Sequence, residues 1–250
     1  MRAVITAGGT VDGAFAERIG TPVKALAPFG AGTLLDVALM ACADAGIDGV
    51  AVIGGDAVRT HLAGRDGVRM IDAADDGGTN VLRALDAWPG ERIAYLTSDL
   101  PFASGAALRD LLVRSEPYAL TMGIASTAAY DARFPQAPPY GVSLGSERLV
   151  NACAFTIAPE AVGPIRDFAT QFFAARKSLL RMALLLGPAL LTRFALKRLH
   201  VTDIEAHASR RLGLAVAAIR DADPGLCYDV DTVDEYDYAV AHAARTEARA

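Results

Sequence analysis

Asp99, Asp231 and Lys24 are far apart in the chain, and their residue types suit phosphate and metal chemistry. Asp99 follows the strand-like run Arg92-Ile-Ala-Tyr-Leu-Thr-Ser98 and precedes Leu100-Pro101. Pro101 disfavours helix at Leu100 and stiffens the turn there. Asp231 lies in Tyr228-Asp-Val-Asp-Thr-Val-Asp-Glu235, where Asp229 and Asp231, two apart on an expected short strand, share one face. Two carboxylates brought together at a strand edge can hold a hard divalent cation, whose remaining ligands are phosphate oxygens and water. Taken singly, each aspartate also reads as a helix cap or a solvated turn. A third element stands at the N-terminus, where Ala3-Val-Ile5 runs into Ala7-Gly8-Gly9-Thr10. A glycine-rich loop leaving a strand lets a nucleotide approach the backbone, and it is equally the makings of a plain turn. Arg18 and Lys24 follow it, the cations a polyphosphate would need.

These residues need a scaffold. Residues 32–46 read as a helix with Leu34, Leu35, Ala38, Leu39 and Cys42 on its apolar face, and Gly46 ends it. Val50–Gly54, Val68–Ile71 and Arg92–Ser98 read as buried strands, with helices after Asp75-Asp-Gly-Gly-Thr-Asn80 and over 104–115. Thr79 or Asn80 is expected to cap the first of these helices. Alternation of strands and helices predicts a mostly parallel sheet covered on both faces, with ligands at the C-terminal edge of the strands. From about residue 118 the pattern changes. Tyr118–Ile124 reads as a strand, Ala137-Pro-Pro-Tyr-Gly141 as a rigid loop, and 141–144 with 149–157 as a hairpin around Gly145-Ser146. Residues 159–199 read as helical. A further helix is expected from Val201 with Thr202 as cap and Glu205 completing a capping box. Strands over 214–219 and 226–231 and a helix from Thr232 close the chain.

The chain has 250 residues, 52% of them hydrophobic, and a formal charge of −5. That size supports one large core, and the acidic balance argues against general nucleic-acid binding. Cys42, Cys153 and Cys227 are an odd, widely spaced set with no metal spacing, which fits a reducing cytoplasm. Met182–Thr192 is too short to span a bilayer and contains Gly187-Pro188, so no transmembrane segment is expected. The clusters Arg176-Lys177, Arg181, Arg193 and Lys197-Arg198 read as a solvated face, or as a surface for an anionic acceptor or lipid head groups. Asn151 reads either as an acceptor contact or as bonded within its own hairpin, and Tyr140-Gly141 either as pocket lining or as a stiff loop.

In order along the chain, Ala7-Gly8-Gly9, Arg18, Lys24-Ala-Leu26, Leu96-Thr-Ser-Asp-Leu-Pro101 and Asp229-Val-Asp-Thr232 with Glu235 resemble the MobA-like NTP transferase family. The resemblance covers most of 1–157 and 214–245. It implies a three-layer α/β, Rossmann-like fold of the GT-A, nucleotide-diphospho-sugar transferase type with a mostly parallel sheet, here carrying an extra helical insertion over 159–213. The whole of 1–250 is then a single nucleotidyltransferase domain, with a nucleotide-binding half (1–117) and an acceptor half (118–250). The resemblance further implies that Ala7, Gly8, Gly9, Thr10 and Ser98 seat the nucleotide and that Gly78, Thr79 and Asn80 lie near the base. Arg18 and Lys24 would meet the triphosphate, and Asp99 and Asp231 would hold Mg²⁺. The implied reaction is transfer of NMP from an NTP (CTP or GTP) to a phosphorylated small-molecule acceptor, for which Tyr140, Gly141 and Asn151 are candidate contacts. The alternatives on the same fold are a glycosyltransferase using a nucleotide sugar and a non-catalytic nucleotide-binding protein. The chain departs from the family in two ways. Val11–Glu17 lengthens the loop before Arg18, and the block 159–213 is large enough to serve acceptor specificity or a homodimer contact.

Overall fold

The computed structural model describes residues 1–175 and 187–248. Arg176, Lys177, Arg181 and the first half of Met182–Thr192 lie outside the described residues. The strands are β1 (Arg2–Thr6), β2 (Pro28–Phe29), β3 (Gly32–Thr33), β4 (Val50–Gly54), β5 (Val68–Asp72), β6 (Ile93–Thr97), β7 (Leu120–Ser126), β8 (Val142–Leu144), β9 (Glu147–Ile157) and β10 (Val216–Ile219). The main sheet runs in the order β10-β7-β9-β6-β1-β4-β5, and β8 pairs with β9. Pairings of β1 with β4 and β6, of β4 with β5 and of β7 with β10 are parallel; β9 runs antiparallel between β6 and β7. The expected α/β architecture with a mostly parallel sheet is the observed one.

Helices cover both faces. They are α1 (Gly13–Ile19), α2 (Leu34–Asp44), α3 (Asp56–His61), α4 (Gly77–Asp86), α5 (Gly105–Ser115), α6 (Thr127–Arg133), α7 (Val162–Ala175), α8 (Pro188–Ala195), α9 (Val201–Leu212) and α10 (Val233–Glu247). Period-two alternation divides β1 between two cores. Ala3 and Ile5 join Leu34, Leu35, Leu108 and Leu111 on one face, while Val4 joins Leu85, Ile93 and Ile157 on the other.

Several local expectations need correction. Asp76, not Thr79 or Asn80, caps α4: its carboxylate accepts the Thr79 N–H at 2.9 Å, one turn earlier than expected. At α9 the chain enters the helix at His200. Asp203 accepts the His200 N–H at 3.0 Å, and the Glu205 carboxylate instead accepts from Ala218 N–H at 2.8 Å, so Thr202 and Glu205 form no capping box. Helix α6, capped by Ser126, was not anticipated. The expected strand over 226–231 is a 3-10 turn (Pro224–Leu226) followed by an irregular segment, joined to the sheet end through Val230 N–H to Asp99 C=O at 3.1 Å. Leu226, Cys227, Tyr228 and Val230 are all buried, so the segment is anchored in the core along a nearly continuous run, which reads as a buried strand in sequence.

Asp36 closes a capping box with Thr33 at the start of α2 and also meets Arg65 at 2.5 Å and His61 at 3.1 Å. Burial alone would raise its carboxyl pKa, but the hydrogen bonds from Thr33 and His61 hold it below the ordinary value. A carboxyl depressed by folding stabilises the native state above its unfolded pKa, near 3.8, and that contribution disappears as pH falls through the folded value. Asp36→Asn is therefore expected to lower the melting temperature at pH 7 by about 3–6 °C. The gap to wild type should close toward pH 3, as read by thermal denaturation across that range.

Candidate active site

Register carries the loops to one edge. Beyond the strands, Ser98 N–H donates to Thr6 C=O at 3.1 Å and Ala7 N–H to Ile53 C=O at 2.7 Å. Ala7 is fully buried, so its contribution is through the backbone path. The diglycine loop then leaves the sheet. A Cβ on Gly8 would stand 3.0 Å from the Ala73 Cβ and 3.6 Å from Asn80 Nδ2. Only glycine leaves that side of the cleft open. The residues between Thr10 and Val23 are not a slack loop. A Thr10–Val23 bridge and a Val11 N–H to Pro22 C=O bond of 2.8 Å close its base, and α1 forms inside it. Lys24 N–H then donates to Gly9 C=O at 3.1 Å, so the family-atypical insertion still returns Lys24 to the diglycine.

The cleft so formed, of about 380 Å³, is lined by Gly8, Gly9, Thr10, Lys24, Asn80, Ser98 and Asp99 among the expected residues. It is also lined by Gly77, which the sequence places at the ligand edge, and by Thr6, Ala74, Asp75, Tyr95 and Thr97, which sequence reasoning missed. Thr6, Tyr95 and Thr97 read as ordinary strand residues. The pairing that matters, Thr6 Oγ1 with the Tyr95 hydroxyl at 3.2 Å, joins segments 89 residues apart and leaves no local signal. Asn80 is committed to the loop itself, accepting from Ala74 N–H at 2.7 Å and donating to Ala74 C=O at 3.0 Å. Gly78 is buried within the first turn of α4, and the Thr79 hydroxyl donates to Asp76 at 2.6 Å; neither lines the cleft.

Charge is concentrated at the mouth. Lys24 Nζ stands 2.5 Å from Asp99 Oδ2 and 2.7 Å from Asp231 Oδ1, so two carboxylates from opposite halves of the chain share one ammonium. Burial alone would push the Lys24 ammonium pKa down; Asp99 and then Asp231 outweigh it and hold the group well above the ordinary lysine range. Asp99 is buried, and its Oδ1 has no hydrogen-bond partner among the described residues. Asp231 is exposed and is placed by Glu235, whose carboxylate accepts the N–H groups of Asp231 and Thr232 at 2.8 and 2.7 Å. Asp229 belongs to the same cluster. Burial, with the charges of Asp231 and Asp99, pushes its carboxyl up to about 6. Three carboxylates thus surround a single lysine. The three cysteines are poor nucleophiles, because burial pushes Cys42 and Cys227 up to about 12 and Cys153 further.

Arg18 is turned away from the cleft. It pairs with Asp237 on α10 at 2.7 Å and lies over the Tyr236 ring at 5.5 Å. Tyr140 and Asn151 do meet, hydroxyl to Oδ1 at 3.4 Å. Gly141, at φ +116°, has no room for a Cβ, which would fall 2.7 Å from Thr127 Cγ2. Its part is to let the loop pass that residue. Among the described residues no group of three His, Cys, Asp or Glu side chains forms a ready-made metal cage, and no helix is long and apolar enough to cross a membrane.

Comparison with known proteins follows the same lines. No curated protein matches the chain. Among solved structures, a hypothetical transferase from Thermus thermophilus superposes with a TM-score of 0.80 at 26% identity, covering 94% of this chain and 98% of that one. A nucleotidyl transferase from Methanothermobacter thermautotrophicus gives 0.58 at 16% identity, covering 98% of each chain. A Mycobacterium tuberculosis protein solved in complex with manganese gives 0.54 at 16% identity, covering 96% of this chain and 97% of that one. The last two speak to the fold alone. Residues 3–180 match the MobA-like NTP transferase domain. That span takes in the diglycine, Lys24 and Asp99, and it makes an NTP the expected substrate. The chain belongs to the MobA-like NTP transferase family.

Proposed function

We propose that the protein is an Mg²⁺-dependent nucleotidyltransferase, moving NMP from an NTP to a phosphorylated small-molecule acceptor with release of pyrophosphate. The observation that carries this reading is the Lys24 ammonium shared by Asp99 and Asp231 at the edge of the diglycine cleft. The residues suit a divalent cation. Asp99 Oδ1 is a buried carboxylate oxygen lacking a partner among the described residues, and Asp229, raised first by burial, is raised further by the charges of Asp231 and Asp99. Two protein carboxylates with phosphate oxygens make up the kind of shell Mg²⁺ takes. Asp99 and Asp231 would hold the ion. When bound, it would neutralise charge building on the phosphate oxygens.

The chain's own groups do the rest. Gly8 and Gly9 admit the nucleotide to the backbone, and Ser98 and Asn80 keep the cleft walls in place. Lys24 is set to offset phosphate charge from inside the cleft. An acceptor phosphate oxygen bonds to the α-phosphorus as the bond to the β-phosphate oxygen breaks, and the electron pair leaves with pyrophosphate. A phosphate dianion needs no general base. An exposed ion pair such as Arg18–Asp237 is worth at most about 1 kcal/mol, so Arg18 can leave it to meet a triphosphate. The test is a pyrophosphate-release assay with Mg²⁺ and each of CTP, GTP, UTP and ATP against a panel of phosphorylated acceptors. Pyrophosphate from one NTP in the presence of one acceptor class is the expected result. Turnover of a nucleotide sugar with no pyrophosphate from any NTP would replace this reading with glycosyl transfer.

A further inference from the structure

A second cavity, of about 440 Å³, lies between α9 and the sheet face made by β7, β8, β9 and β10. Met122, Ile124, Leu149, Phe155, Val201 and Ile204 supply much of its wall. The few polar side chains that reach it each hold a bond within the protein. Thr121 bonds Ser115 and Thr156 at 2.7 Å each, Glu205 accepts from Ala218 N–H, and Asn151 accepts from Tyr140. A base or sugar placed here would leave most of its own donors and acceptors unmatched against the apolar wall, whereas a hydrocarbon has none to satisfy.

One strand, β9, runs from this cavity to residues that border the cleft and its acidic cluster. Alternation along β9 puts Leu149, Asn151, Cys153 and Phe155 on a common face. Leu149, Asn151 and Phe155 line the cavity, while the Cys153 thiol is raised first by burial and then by the nearby Asp229 charge. The Phe155 ring packs edge-on against Tyr95, centroids 5.8 Å apart, and Tyr95 lines the cleft. Tyr140, which donates to Asn151, is pushed up to about 12 first by burial and then by Asp229, with a further contribution from Asp231. At the far end the lining residues Val142 and Ile204 are 52% and 39% exposed, which gives the cavity a mouth.

We propose that the acceptor is an amphiphile, with its phosphate presented to Lys24 and the carboxylates and its hydrocarbon portion lying in this cavity. The inference rests on the nucleotidyl-transfer reading. The continuity of β9 selects this occupant, because a ligand whose head meets the carboxylates has its remaining length directed along that face.

The test uses the full chain with Mg²⁺ and two probes, butyl phosphate and octyl phosphate, both below micellar concentration, titrated calorimetrically. A methylene moved from water into an apolar site is worth about fourfold in affinity, so four more of them, if all are buried, should tighten binding by roughly 250-fold, and by at least about 10-fold if only two are. Ala208→Trp, which fills the cavity from α9, and Ile204→Lys, which charges its mouth, should each remove that gain. Neither should change butyl phosphate affinity or the thermal shift given by Mg-NTP. Should Ala208→Trp fail to fold, Ile204→Lys alone decides. Equal affinity for the two probes overturns the proposal, as does a gain that persists in the variants or octanol binding as tightly as octyl phosphate. It is also overturned by a dimer that Ile204→Lys dissociates, which would make a second copy the occupant. A thermal shift with Mg-NTP but no chain-length gain sinks this inference alone; no shift with any Mg-NTP sinks the nucleotidyl-transfer reading beneath it.

Discussion

Asp99→Ala is expected to reduce pyrophosphate release by roughly 10³-fold or more while leaving the protein folded. The two halves of that expectation come from the two oxygens of one side chain. Oδ2 meets Lys24 at 2.5 Å, and Oδ1 is buried without a partner among the described residues. A buried unsatisfied oxygen costs about 1–3 kcal/mol, so removing the carboxylate removes a penalty along with the ion pair. Lys24 keeps Asp231 at 2.7 Å. The melting temperature should therefore stay within a few degrees of wild type, and the loss should fall on kcat. Lys24→Met should behave differently. It leaves Asp99, Asp229 and Asp231 without their common counter-charge, so stability should fall together with turnover, and added Mg²⁺ should restore part of the stability. Steady-state kinetics and melting curves on the two variants check both. Wild-type turnover in a folded Asp99→Ala variant would remove the ground for placing the chemistry at this cluster.

The parts of this site that were legible from sequence are those fixed by strand ends. Asp99 follows a run whose apolar character specifies a buried parallel strand, and the diglycine follows another, so both had to emerge at one edge. Lys24 was legible through the order of motifs, although its route back to Gly9 depends on a bridge between Thr10 and Val23 that nothing local announces. Position in sequence could not say that Arg18 would face α10, because its partner Asp237 lies 219 residues away. The segment 226–231 misled for a physical reason: a short buried apolar run serves an anchored coil as well as a strand, and only ladder pairing separates them. Tyr95 and the cavity beside β9 were invisible for a related reason. Apolar residues at period two predict a covered face, and here part of the face between α9 and the sheet is open.

That anchored coil gives the second large effect. Tyr228→Ala is expected to destabilise the protein by about 3–5 kcal/mol, lowering the melting temperature by about 10 °C. Pyrophosphate release should fall with it even at temperatures where the variant is folded. The Tyr228 ring is 1% exposed and sits among Phe134, Phe102 and Tyr238, with centroids 4.9, 5.1 and 5.9 Å away, and it stacks on Tyr130 at 6.0 Å. Its hydroxyl donates to the Glu235 carbonyl at 2.8 Å. The next residue is Asp229, and Asp231 follows two further on. With no strand to hold them, these carboxylates are placed by the ring on one side and by the Glu235 turn on the other. Tyr228→Phe separates packing from hydrogen bonding. It keeps the ring contacts and loses one bond, so it should cost about 1 kcal/mol and retain most activity. If Tyr228→Ala melts like wild type, or Tyr228→Phe is as damaging as alanine, then the aromatic cluster does not position the acidic segment. In that case the placement of Asp231 must come from the Thr232–Glu235 capping box alone, and Glu235→Ala would become the variant that uncouples it from Lys24.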